Sequence, residues 1–163
     1  MTKILLSLHV LAAIIAVGPV TVAASMFPAA ARRVPVALPV GGEAGDAPAA
    51  GDVGTVRLLH RICRVYAALG IAVPVLGFAT ASAMGVLGDA WLITSITLTA
   101  AAAGILVAFV LPRQEELLEQ LTERQPVERS RTARLAMFTG LFNLLWATVT
   151  ILMIVRPGST TGA

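Results

Sequence analysis

Residues 57–88 read RLLHRICRVYAALGIAVPVLGFATASAMGVLG, and this stretch decides what kind of molecule the chain is. Arg57, Arg61 and Arg64 recur at helical spacing on one face, and no charged residue interrupts the apolar run that begins at Val65. A helix entering a bilayer from a basic side has this pattern. A hydrocarbon core of about 30 Å, crossed at 1.5 Å per residue, needs about 20 predominantly apolar residues. Gly70, Pro74 and Gly77 predict a bend, because proline removes a main-chain donor and its ring clashes one turn back. Gly77, Ala81 and Gly85 form a stripe of small side chains suited to close helix contact.

Three further runs align with this one, giving expected helices over about 4–27, 55–84, 90–111 and 133–155. Hydrophobic residues make up 57% of the 163-residue chain, above the roughly 45 to 50% of soluble domains, and the mean hydropathy is +0.86. The expected fold is therefore all-α: one polytopic membrane domain, 1–163, with four transmembrane helices. The first run exceeds a secretory signal core of about 7 to 15 residues, so a retained helix, kinked at Gly18-Pro19, is expected there. Residues 32–54 are dense in proline and glycine and read as a loop. Residues 112–132 read as a second loop carrying a short amphipathic helix, with Pro112 in its first turn and Leu117, Leu118 and Leu121 as its apolar edge; from Glu115 to Arg124 this segment either lies along the membrane or extends the third helix. Asp89 is placed to cap the third helix through its side chain, and Trp91 to sit at the bilayer interface. Ala100, Gly104 and Ala108 form a second stripe of small residues.

With four crossings, both long loops share one side. That side carries Arg32, Arg33, Arg57, Arg61, Arg64, Arg113, Arg124, Arg129, Arg131 and Arg134, against Lys3 and Arg156 on the other. Ten basic residues against two predict, by the positive-inside rule, cytoplasmic loops with both termini outside. The setting is then a bacterial plasma membrane.

The charge distribution also limits the chemistry. The basic residues flank membrane spans rather than forming an aromatic-studded face, so nucleic acid is not an expected partner. A single cysteine, Cys63, cannot form an internal disulfide. No ionisable residue lies near the centre of a span, where a proton or ion path would need one, and no hydrolase, zincin or phosphate-loop motif is present. An enzyme is not expected, and no cofactor is predicted. His9 is the one candidate cofactor ligand: it lies about five residues inside the first helix, at the depth of Thr80, Ser82, Thr94, Ser95, Thr97 and Thr148. This polar layer is expected to consist of hydroxyls bonded back to their own helices; its alternative is a pocket for a haem, quinone or copper ion. His60 is expected at the opposite boundary, too distant to share a metal with His9, and with Arg57, Arg61 and Arg64 to meet anionic lipid headgroups. Asn143 lies near mid-membrane and needs a hydrogen-bond partner, most simply Thr99 or a backbone carbonyl. Gly77, Ala81, Gly85, Gly104 and Asn143 are the expected helix-packing positions, toward either a larger integral membrane protein complex or a second copy of the chain.

The opening Leu8-His9-Val10-Leu11-Ala12-Ala13, with Gly18-Pro19 a turn later, resembles the first helix of small bacterial four-helix integral membrane proteins of unassigned function. Those proteins share a Leu-His-x-Leu-Ala-Ala start with copper-resistance membrane proteins. The likeness runs on through Leu59-His60-Arg61 and the Asn143-x-x-Trp146 stretch. It implies a role like that of the accessory subunits on actinobacterial cytochrome bcc-aa3 respiratory supercomplexes. The chain departs from the copper-handling group, which implies several Met, His or Cys on the outer face, by offering only His9 in a suitable place.

Overall fold

The computed structural model describes residues 2–35 and 52–158, and every regular element among them is helical. The first helix, α1, spans Thr2–Arg32 and keeps both Pro19 and Pro28 within it. The second span is broken into α2 (Val53–Leu69) and α3 (Ala72–Met84). The break follows from Pro74, which has no N–H to give the carbonyl of Gly70; that carbonyl accepts instead from Val73 N, three residues on, at 3.1 Å. Four helical stretches, Thr2–Arg32, Val53–Met84, Ala90–Thr122 and Arg129–Val155, are long and apolar enough to cross a membrane. Most of the expected 32–54 loop falls on 36–51, outside the described residues.

The third span differs from expectation. α4 (Ala90–Ile105) passes through one π turn, Leu106–Val110, straight into α5 (Leu111–Thr122). Pro112 was read as the end of a span and the start of a separate amphipathic piece; it lies inside a continuous helix. The π turn makes this possible. Leu111 N donates to Leu106 O, five residues back, and the one-residue slip supplies the local adjustment that a proline requires. The final helix, α6 (Arg129–Val155), begins four residues before the expected 133.

Packing explains why α5 does not lie apart. Gln114, Leu117 and Leu121 share one face of α5 and are buried, and that face meets α2. α1 packs along both α2 and α3, α6 packs along α4, and α1 and α6 pack on each other. The main core gathers at the basic end, where Phe27, Val56, Val110 and Leu135 are completely enclosed. A second small cluster, Ala81, Trp91 and Leu92, closes the other end beside the α3–α4 turn.

That turn is built on Gly85, whose φ of 70° lies in the left-handed region that a Cβ disfavours. Asp89 departs from its expected role: its side chain makes no cap bond to the backbone. One carboxylate oxygen accepts from the Trp91 indole N–H at 2.9 Å instead. The Arg156 guanidinium lies 5.8 Å from the centre of the Trp91 ring, so residues at the ends of α4 and α6 meet at this boundary. At the opposite end Phe109 stacks on Phe138 at 4.8 Å and Arg113 covers Phe138 at 4.8 Å.

Candidate functional site

The amphipathic pattern of α2 sorts its residues cleanly. Val56, Leu59, His60 and Cys63 face inward, while Arg57, Arg61 and Arg64 face outward. Arg57, Arg61 and Arg64 have the exposure that headgroup contact would require. His60 does not: it is only 6% exposed, with Nδ1 3.3 Å from Gln114 Oε1. The same Gln114 side chain donates through Nε2 to Cys63 Sγ at 3.5 Å. Gln114, 0% exposed, therefore bridges two residues of α2 from α5, and its amide has both a donor and an acceptor in use. The expectation that His60 meets lipid is corrected by this arrangement, whose physical cause is the extension of the third helix past Pro112. Gln114 was absent from the residues singled out in the sequence. Its signal was there: Leu106, Val110, Gln114, Leu117 and Leu121 keep helical spacing across the proline.

His9 is also buried, at 8% exposure, and its Nδ1 lies 3.0 Å from the Val73 carbonyl oxygen. That oxygen can only accept, so Nδ1 carries a proton. The ring lies against Gly77, where an added Cβ would come within 2.8 Å of His9 Cε1. Gly77 is thus a cradle for His9. Ala81 packs with Trp91 and Leu92, and Gly85 makes the turn. All three residues of this small stripe are occupied within the chain.

The hydroxyl layer does not converge on His9. Thr80 donates to Leu76 O, Thr94 to Ala90 O, Ser95 to Trp91 O, Thr97 to Ile93 O and Thr148 to Leu144 O, each to the preceding turn of its own helix. Thr99 donates in the same way to Ser95 O at 2.7 Å and is not the partner of Asn143. The Asn143 amide instead donates to Ser25 Oγ on α1 at 3.1 Å, and Ser25 passes its own proton to Thr21 O. The contact face between α1 and α6 decides this pairing. Asn143 Oδ1 and Thr139 Oγ1, one turn apart on α6, are buried without a hydrogen-bond partner.

The second small stripe behaves unlike the first. Ala100, Gly104 and Ala108 all face outward, and a Cβ built on Gly104 meets nothing within 4 Å. Elsewhere the outward surface carries large side chains: Ile4, Leu11, Ile14 and Ile15 on α1, Ile71, Val75 and Phe78 on the second span, Leu144, Ile151 and Ile154 on α6. On the third span the small residues Ala100 and Gly104 of α4 and Ala108 of the π turn form a strip between exposed Ile93, Ile96, Val107 and Phe109. Among the described residues, no group of three or more His, Cys, Asp or Glu is arranged to hold a metal. No protein family, curated protein or solved structure matches the chain.

Proposed function

We propose that the chain is a non-catalytic accessory or scaffold subunit of a bacterial plasma membrane, packing against a larger integral membrane complex, a respiratory one in line with the resemblance of its first helix. The observation that carries this reading is the outward strip Ala100, Gly104 and Ala108. A lipid-facing helix gains dispersion contacts with acyl chains from large side chains, whereas small residues let another helix backbone approach closely. Among the described residues, nothing covers the strip. In the proposed orientation both termini are outside and the arginine-bearing ends of α2, α5 and α6 face the cytoplasm, following the ten-to-two division of basic residues.

Mild solubilisation of native membranes should recover the chain in a larger, haem-absorbing assembly. Gly104→Leu fills open space, so the variant should fold and should leave that assembly. A wild-type chain recovered only as a detergent monomer would sink the proposal.

A second reading has one observation in its favour. The Nδ1–H to carbonyl bond that fixes His9 leaves Nε2 without a protein partner among the hydrogen bonds of the described residues, and ligating imidazoles are commonly oriented in this way. On this reading the chain handles haem, quinone or copper through His9. A visible spectrum after haem or Cu(II) addition, unchanged by His9→Ala, would dismiss it.

A further inference from the structure

At the basic end of the bundle, α1 stops at Arg32 and α6 starts at Arg129, and these two residues border one cleft of about 250 Å³. Its remaining walls are Ala31, Val34, Leu121 and Val127. The arginines thus stand over an apolar floor, and they come from helices that are far apart in sequence. Neither is paired: among the described residues the ion pair is Arg131 to Glu128 at 3.7 Å. Glu128 adjoins Arg129, but its carboxylate is engaged by Arg131 and also accepts from Ser130 at 3.2 Å. Among the described residues, two guanidinium groups therefore share this cleft without a carboxylate to neutralise either.

We propose that this cleft holds an anionic phospholipid, its phosphate between Arg32 and Arg129 and the upper part of an acyl chain against Leu121 and Val127. Guanidinium forks match phosphate oxygens in geometry and charge, and basic pockets between helices at a membrane boundary suit such headgroups. Inorganic phosphate would satisfy the arginines but gain nothing from the apolar walls. The whole ligand, charged head and greasy chain together, fits the mixed lining. The site is separate from the outward strip of α4 and does not depend on the subunit reading.

The test uses the full-length protein in phosphatidylcholine nanodiscs or detergent, with phosphatidylglycerol as probe. Retained lipid is counted by native mass spectrometry, and affinity is read from titration of the thermal midpoint. Wild type should retain phosphatidylglycerol in preference to phosphatidylcholine. An R32Q/R129Q pair should bind it roughly tenfold or more weakly, since each cation near the headgroups contributes appreciably. The R32K/R129K pair, which keeps the charge, should retain the preference. An R57Q/R61Q pair, outside the cleft but on a headgroup-facing side of α2, should weaken retention less than R32Q/R129Q does. Both cleft arginines face outward, so their loss leaves the core intact, and circular dichroism checks this. Three results would overturn the proposal: an unchanged preference in R32Q/R129Q, an equal loss in R57Q/R61Q, or an equal stabilisation by inorganic phosphate alone.

Discussion

Substituting Gly77 by alanine tests the cradle under His9 in a way that separates packing from backbone propensity. In a helix interior, glycine to alanine normally stabilises by about 0.5 to 1 kcal/mol. Here the new methyl would lie 2.8 Å from His9 Cε1 and 3.2 Å from Nδ1. The ring cannot step aside freely, because Nδ1 is held 3.0 Å from the carbonyl of Val73, one turn before Gly77 on the same helix. Relief means either breaking that bond or moving α1 away from α3. Forcing a methyl into a packed site costs about 1 to 3 kcal/mol, so G77A should be destabilised by roughly 0.5 to 2 kcal/mol. In an H9A background the obstacle is gone. The same glycine-to-alanine change should then be neutral or stabilising by up to about 1 kcal/mol, a coupling of about 1 to 3 kcal/mol across the double-mutant cycle. Reversible unfolding by sodium dodecyl sulfate in mixed micelles, followed by circular dichroism, supplies the four stabilities. Equal effects of G77A in both backgrounds would refute the argument that His9 seats on this glycine.

Three other outcomes are expected. Replacing Gln114 by leucine strands the buried His60 nitrogen and should destabilise by about 1 to 3 kcal/mol in the same titration; an unchanged stability would count against the bridge. Gly85→Ala places a Cβ at a φ of 70° and should lower stability by about 1 to 2 kcal/mol, measured in the same titration; a neutral result would mean the turn has another conformation. A cysteine at Gly88, where a Cβ meets nothing within 4 Å, should react with a membrane-impermeant maleimide in intact cells, and labelling only after lysis would reverse the proposed orientation.

The four spans were legible because an apolar run of this length has few other uses, and the breaks at Gly70 and Pro74 followed from the missing amide. Pro112 misled the reading. Proline usually ends a helix, and only the periodicity of Leu106, Val110, Gln114 and Leu117 shows that the chain continues through it. Gln114 was passed over with it, and His60 was assigned to the headgroups because Arg57, Arg61 and Arg64 surround it. The small-residue stripes were visible as patterns, but a pattern does not say which helix fills it. His9 occupies Gly77, while Gly104 lies open, a difference that depends on how α1 sits against α3. Asn143 was marked as needing a partner, yet Ser25 lies 118 positions away, and its choice over Thr99 is set by the α1–α6 contact.

The slipped turn at Leu106–Val110 has a mechanical consequence. On one chain segment it marks a joint, and the Gly70–Pro74 discontinuity marks another. Between these joints and the basic end, α2 and α5 are fastened together through Gln114; beyond them, α3 leans on α1 and α4 on α6. The third span thus runs unbroken from α4, seated on α6, through the π turn into α5, clasped to α2 at Gln114, so a load on Ala100 and Gly104 is carried to that clasp along one continuous helix.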